Sequence, residues 1–493
     1  MFRYLLLTIS LSLMLDCSAW AAPARLILLH TNDTHDHLLP FDKKDLKSVG
    51  GIARRGTLIK QVLAQNPGQV LVLDAGDTFQ GTPLFNFFHG KADFEAMDAA
   101  AYDATTVGNH DLDEGLVNLQ QQYRGRRFKI INSNLVDPAS LKPIFTSAML
   151  FERAGLKIGV FGLLGEKSAW PAIAAKHQAG LKVLDREIVA RQMINELQAK
   201  KADVIVLLSH SGYEEDKELA ARVAGIHVIV GGHSHTKIPS PAAVKNGAWT
   251  TYVLQAYQWG EYLGRMDLDI ESGKVISQDG YLIPVMGDTP EEPAVAKLVE
   301  SYDVQIRAKM AAIIGQAPRG LSWEAKYEHD CELGNWATDA MRKRTGTEIA
   351  ILNSGGLRAP LNAGPIKVGD IYAAFPFENR LVRLVMSGQL ICDLLNHVTA
   401  RQAGMLQVSG LSWRIVGEKA VDIMVGSEPI NPERSYSVTT IDYLAQGNDR
   451  YTMFPQATNY EDLGLLLRDC LLEETKSVAT VNQPPLGRIK IVR

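Results

Sequence analysis

Ten of the twelve histidines in this 493-residue chain lie at or before His235. Five of them stand in short polar clusters: Asp33-Thr34-His35, Asn109-His110, Ser209-His210 and His233-Ser234-His235. Asp77 closes a further cluster, Asp74-Ala75-Gly76-Asp77. Carboxylate, amide and imidazole groups gathered in this way suit borderline divalent ions such as zinc or manganese. The neighbouring Gly76, Gly108, Gly231 and Gly232 let the backbone approach a metal or an anion closely. No single cluster is diagnostic, because Asp-x-His occurs by chance in many proteins. The ordered set is the signal.

The elements that must position these residues are legible as apolar runs. Arg25 to Leu29, Val70 to Leu73, Ala104 to Val107, Ile158 to Phe161, Val204 to Leu208 and Val228 to Val230 read as buried strands. Helical patterns lie between them, as in Ile52 to Ala64 and Glu187 to Ala199. Strands alternating with helices predict an α/β architecture with a largely parallel core. Ligands of such sheets sit at the carboxyl ends of the strands, and nearly every strand here ends in one of the polar clusters. A Pro-punctuated stretch, Thr289-Pro290-Glu291-Glu292-Pro293, precedes a helical run from Ala294 to Ile314 that stops before Gly315. This run is expected to be a linker helix (residues 289–314) between a domain of residues 22–288 and a smaller mixed α/β domain of residues 315–493.

The start of the chain reads as an address. Arg3, the apolar run Leu5 to Leu15 and Ala19-Trp20-Ala21 predict a signal peptide over residues 1–21, cleaved after Ala21. Asp16 before Cys17 is a poor lipobox residue, so lipidation is not expected. No later stretch is long and apolar enough for an integral membrane segment, and the expected location is periplasmic or secreted. The formal charge of −4 supplies no basic footprint for nucleic acid. Apart from Cys17, the cysteines are Cys331, Cys392 and Cys470. They are odd in number and widely spaced, so a disulfide framework and a thiolate zinc site are both unexpected.

The ordered clusters resemble those of the calcineurin-like metallophosphoesterases. The whole chain resembles the secreted 5′-nucleotidase/UDP-sugar hydrolase family. That resemblance implies a four-layer α/β/β/α sandwich, a linker helix and a substrate-binding domain. It implies two divalent ions, one held by Asp33, His35, Asp77 and His235, the other by Asp77, Asn109, His210 and His233, with Asp77 bridging. His110, oriented by Asp113, would stabilise charge on the phosphoryl or leaving group. The implied reaction releases phosphate from nucleoside 5′-monophosphates through a metal-bridging hydroxide. Alternatives are UDP-sugar diphosphatase or 2′,3′-cyclic nucleotide phosphodiesterase activity, then sulfur-ester hydrolysis, then nucleotide binding without catalysis. His37 receives no role, and His30, His89, His177 and His227 read as structural or solvent-facing.

Three segments of the second half resemble the nucleotide-binding elements of the same family: Asn353-Ser354-Gly355-Gly356-Leu357-Arg358, Phe375-Pro376-Phe377 and Tyr443 through Asp449. The resemblance implies that Asn353 bonds the base and Arg358 grips phosphate or ribose. Phe377 and Tyr443 would sandwich the base, and Asp449 would accept from the ribose hydroxyls. The chain departs from the family pattern at His329, Ser354, Glu378, Asn448 and Arg450, which bears on substrate identity and leaves the metal-site residues untouched.

Overall fold

The computed structural model describes residues 23–43 and 46–492. The signal peptide, its cleavage point and Cys17 fall outside these residues.

Two six-stranded sheets build the N-terminal half. In the first, Ala24–Thr31, Val70–Asp74, Ala104–Thr105 and Lys129–Ile130 run parallel. An antiparallel pair, Tyr262–Glu271 and Lys274–Pro284, completes its edge. In the second, Leu156–Leu164, Val204–His210, Val228–Gly231 and Trp249–Leu254 run parallel, with Ala148–Arg153 and Ala242–Asn246 antiparallel at the two edges. The expected strand at Ala104 to Val107 is only two residues long, because the chain turns there toward the Asn109 loop.

The layering follows from the two-residue period of the strands. Leu26, Leu28, Leu71 and Leu73 point inward and meet Ile158, Val160, Val206 and Val230 of the other sheet. Ile27, Leu29, Val70 and Val72 point outward and pack under helices that include Ile52–Gln65. On the far side, Phe161, Ile205 and Ile229 pack under the helix Arg186–Ala199. Three apolar cores therefore alternate with four layers, α/β/β/α. Strands buried on both faces must read as continuous apolar runs, which is why they could be located in the sequence.

Helix Pro293–Met310 ends earlier than the sequence periodicity suggested, and Ile313–Ala317 is a strand. Ala311 caps the helix, and Ile313 instead pairs with Lys367. Val295, Val299, Tyr302 and Ile306 of this helix belong to the outer core of the first half, and Tyr302 Oη donates to Glu95 at 2.6 Å. The second half has its own core around a five-stranded sheet. That sheet contains Ile349–Asn353 and Arg380–Ser387, with helices Glu332–Thr345, Gly388–Thr399 and Leu467–Val478 among its neighbours. Cys331, Cys392 and Cys470 are all free thiols.

Candidate active site

The strand ends of both sheets deliver their polar clusters to one place. Asp33 and His35 follow the strand Ala24–Thr31, Asp77 follows Val70–Asp74, and His210 ends Val204–His210. Asp33, His35 and His235 present ligand atoms within 4.8 Å of one another, as do Asp77, His210 and His233. Asp77 Oδ2 lies 3.2 Å from His210 Nε2 and 3.9 Å from His35 Nε2, so one carboxylate faces both groups. Asn109 Oδ1 lies 2.9 Å from His233 Nδ1 and 3.3 Å from His210 Nε2. All seven residues singled out in the sequence thus converge.

The backbone at these positions is strained in a consistent way. Asp33, His35, Asp77, His233 and His235 all have positive φ, between 47° and 75°. Residues with a Cβ seldom adopt this region, and each such case costs of order 1–3 kcal/mol unless its surroundings fix it. The turn re-aims each side chain from the sheet toward the shared point. Close approach is also required: a Cβ on Gly108 would lie 2.2 Å from Asp77 Oδ1.

Asp111 is the residue that sequence reading overlooked. Its carboxylate accepts the N–H groups of Gly108 (2.7 Å), Thr78 (3.0 Å), Asp77 (3.1 Å) and Phe79 (3.2 Å). It therefore stitches the loop bearing Asp77 to the loop bearing Asn109. Its place beside His110 in Gly-Asn-His-Asp was the available signal.

The donor set fits divalent cations. His35 donates Nδ1–H to Gln80 O at 3.0 Å, and His210 donates Nδ1–H to Ala75 O at 2.7 Å, which aims Nε2 of each at the cluster. Anchoring the far nitrogen in this way is the usual support for a metal-binding imidazole. Burial, then the Arg358 cation, holds His35 well below the usual histidine range, so the ring is neutral and able to donate a lone pair. Burial and then His210 bring His233 down to about 3. Burial alone would lower His210, but Asp77 and Asp33 outweigh it and raise the ring to about 10. Asp33 and Asp77 both lie within 4.0 Å of His210 Nε2, an arrangement that favours a cation, and a bound divalent ion would take the place of a proton on that ring.

His110 and Asp113 stand beside the clusters. His110 Nδ1 donates to Asp113 Oδ2 at 2.8 Å, and its backbone N–H donates to Asp77 Oδ1 at 2.7 Å. Burial works against the charged ring, yet Asp113 and Asp77 outweigh it and raise His110 above its ordinary value.

The second half closes over the site. A cavity of about 810 Å³ is lined by Asp77, Asn109, His110 and His233 from one half and by Asn353, Arg358, Phe377, Tyr443 and Asp449 from the other. Arg358 Nη2 reaches within 3.4 Å of His35 Nε2. Phe377 stacks on His110, with centroids 5.6 Å apart and planes inclined by 26°, and the Arg358 guanidinium lies 5.7 Å above the Phe377 ring. Tyr443 Oη lies 2.9 Å from each of two acceptors, Asp449 Oδ1 and Ala172 O, between which its one proton is shared. Asn353 Nδ2 donates to Asp449 Oδ2 at 3.3 Å, while the buried Asn353 Oδ1 has no donor among the described residues.

The departures from the family pattern acquire places. Asn448 Oδ1 accepts the Ala175 N–H at 3.2 Å, and Arg450 donates to Lys167 O, so both residues flanking Asp449 bond across to the first half. Ser354 Oγ donates to Lys326 O and ties down the loop that follows Trp323. Glu378 lines the cavity, 3.4 Å from Arg468 Nη2. His329 Nδ1 donates to Asp330 O. Lys326, which no motif flagged, lines the cavity at 7% exposure with its Nζ on Leu357 O. The Lys326 Nζ lies 4.0 Å above the Trp323 ring and 4.7 Å above the Tyr327 ring. No carboxylate pairs with it among the described residues. Burial, then Arg358, lowers Lys326 to about 6.

Of the histidines that the sequence reads as structural or solvent-facing, His89 pairs with Glu114 at 2.8 Å and His227 Nδ1 accepts the Ile205 N–H. No helix of the described residues is long and apolar enough to cross a membrane.

Comparison with known proteins agrees with this geometry. Residues 26–237 match the family of calcineurin-like phosphoesterases, and residues 309–456 match the 5′-nucleotidase C-terminal domain. The solved structure of a 5′-nucleotidase precursor from Thermus thermophilus superposes with a TM-score of 0.88. It is 32% identical, over 95% of this chain and 99% of that one. The 5′-nucleotidase of Diplobatis ommata is 29% identical over 96% of this chain and 91% of its own length. The trifunctional nucleotide phosphoesterase protein YfkN of Bacillus subtilis is 28% identical over 95% of this chain, which spans 35% of that protein's length. With both halves matched in order and the metal-type clusters assembled, the chain belongs to the 5′-nucleotidase family and is a hydrolase of phosphoric esters.

Proposed function

We propose that the chain is an exported, metal-dependent hydrolase that releases phosphate from nucleoside 5′-monophosphates. The observation that carries this reading is the convergence of seven donor residues, four of them lining one cavity together with Arg358, whose other wall is Asn353, Phe377, Tyr443 and Asp449. Asp33, His35, Asp77 and His235 would hold one divalent cation, and Asp77, Asn109, His210 and His233 the other. Zinc and manganese both suit such oxygen and nitrogen donors. When bound, such a pair supplies Lewis acidity toward the phosphoryl oxygens and an acidified water.

The chain's own groups do the rest. Arg358 binds the phosphoryl oxygens with a fixed fork of N–H donors. His110, oriented by Asp113 through the Nδ1–H bond, stabilises charge developing on the phosphoryl or leaving oxygen. The nucleoside lies against Phe377 and Tyr443, where stacking of a base is worth about 1–3 kcal/mol. Asp449 accepts from ribose hydroxyls, and the free Asn353 Oδ1 accepts from the nucleoside. Closure of the second half over the clusters excludes bulk water and strengthens each of these interactions. Export rests on the apolar run Leu5 to Leu15 and the small residues Ala19 and Ala21.

The test is Asp77→Asn. The wild-type protein supplied with manganese should turn over AMP and retain two metal ions per chain by elemental analysis. The variant should lose at least 99% of turnover and most of its bound metal. Full activity in the variant would sink the reading.

A further inference from the structure

Lys326 has the surroundings of a reactive amine, unlike those of a surface cation. Its side chain is 7% exposed and lines the cavity, and Nζ donates to Leu357 O, the carbonyl just before Arg358. The Trp323 and Tyr327 rings stand over the nitrogen, with centroids 4.0 Å and 4.7 Å away. Both rings line the cavity as well, and Tyr327 is itself exposed. The cover over the nitrogen on that side is therefore a surface side chain.

The backbone holds this nitrogen in place. Lys326 N–H donates to Trp323 O at 3.0 Å. Lys326 O accepts from Ser354 Oγ and, at 3.2 Å, from Gln407 Nε2. Ser354 is one of the chain's departures from the family pattern, so the hydroxyl that anchors Lys326 is a feature of this sequence.

Charge decides what such a nitrogen does. An ammonium is strongly hydrated, and burying one without an anionic partner is costly. No carboxylate pairs with Lys326 among the described residues. Arg358 is a fixed cation that opposes a second one beside it. Burial pushes the Cys331 thiol up to about 11, so it stays uncharged. Tyr327 offers a phenol, and Glu324 and Glu328 of the same segment are exposed to water. Desolvation in an apolar pocket beside another cation is an arrangement that makes a lysine nucleophilic near neutral pH. A free amine keeps one N–H on Leu357 O and has its lone pair left over.

The walls indicate what that lone pair would meet. The Arg358 fork suits a phosphate group, and the Trp323 and Tyr327 faces suit a planar ring. An amine attacks a carbonyl carbon. We propose that Lys326 is a covalent capture site for phosphate-bearing aldehydes, which form an imine on Nζ. The Nζ lone pair forms the C–N bond as the carbonyl π pair moves to oxygen. A proton passes from nitrogen to that oxygen, giving a carbinolamine. The hydroxyl then leaves with the second nitrogen proton as water, and the C=N bond forms. Nothing is oxidised or reduced, water is the one by-product, and its return reverses the capture. The step needs neither metal nor phosphate-ester turnover.

The probe is pyridoxal 5′-phosphate, a planar aldehyde with one phosphate. The full chain, kept metal-free with a chelator, is incubated with it, reduced with borohydride and mapped by peptide mass spectrometry. At pH 7 the occupancy of Lys326 should exceed that of any other lysine at least fivefold. Pyridoxal, which lacks the phosphate, should label Lys326 at least fivefold less. Occupancy should rise between pH 5 and pH 7 and then level off, because the amine is free above about 6, whereas exposed lysines gain label up to pH 9. Lys326→Arg and Lys326→Met should each lose the phosphate-dependent adduct. Label spread evenly over the exposed lysines, or a Lys326 adduct as abundant with pyridoxal as with its phosphate, would overturn the proposal. The wild-type map decides this even where a variant fails to fold. Failure of the wild type to turn over AMP with any divalent metal would instead overturn the hydrolase reading and leave the map to decide the capture site.

Discussion

Arg358 Nη2 lies 3.4 Å from His35 Nε2, although 323 residues separate the two in sequence. The contact joins the half that carries the metal-type clusters to the half that carries the nucleoside-facing residues. A phosphoryl group lying over the clusters therefore falls within reach of a guanidinium that the other half supplies.

Arg358→Ala should raise KM for AMP at least tenfold and weaken inhibition by inorganic phosphate by a similar factor. A charge-assisted hydrogen bond to phosphate accounts for a loss of this size. Bound metal, measured by elemental analysis, should stay at the wild-type level. Arg358→Lys should recover only part of the loss, because a point charge lacks the planar fork.

His110→Ala should lower kcat for AMP by about 10²–10⁴, the usual contribution of one positioned acid or base. Metal content should be unchanged. Asp113→Asn should cost less than the alanine change, because it leaves the imidazole in place and removes only the carboxylate that orients and charges it. Steady-state kinetics with both variants fully metal-loaded gives the comparison.

Asp111 should act through metal affinity. In Asp111→Asn an amide N–H₂ faces some of the four backbone donors that the carboxylate now satisfies. The loops carrying Asp77 and Asn109 then lose their common anchor. Removing support of this kind typically costs about 10–100-fold in metal affinity. Activity should be low at micromolar manganese and recover at millimolar manganese, an outcome that a global folding defect would not produce.

Lys326→Met should trade function for stability. Binding of AMP should weaken, because an N–H donor lining the cavity beside Arg358 is gone, while the fold should gain stability at low pH, where the replaced group is a buried ammonium without a carboxylate partner. The sign with pH follows from linkage. The folded-state value of about 6 lies below the usual lysine value near 10.5. Between these two values the unfolded chain holds a proton that the folded chain lacks, so fold stability rises with pH across that window, by up to about 1.4 kcal/mol per pH unit. Below about pH 6 both states are protonated and the penalty is complete. The melting-temperature advantage of Lys326→Met should therefore be largest at pH 5.5 and should shrink at pH 7 and again at pH 8.5, as read by calorimetry of the metal-free protein.

The sequence by itself determined the strands and the residues at their ends. A strand buried on both faces has to be a continuous apolar run, so Val204–His210 and Val70–Asp74 declared themselves, and the polar residue that ends each one stood out against it. Side-chain type and order marked the clusters that contain Asp33, His35, Asp77, Asn109, His210, His233 and His235, and the resemblance to a family separated these seven from their neighbours. Tertiary structure decided what depends on distant segments meeting. The roles of Asp111 and Gln80 are set by backbone groups and cavity walls that no local pattern encodes. The buried state of Lys326 comes from Trp323, Tyr327 and the Leu357 carbonyl packing around it. His37 was unassignable until Trp259, 222 positions later, was laid flat against it. Periodicity also misjudged the end of helix Pro293–Met310, because pairing of Ile313 with Lys367 competes with helix extension there. Local sequence specifies elements and the groups they carry, whereas the environment that gives each group its charge, partner and reach is made by the fold as a whole.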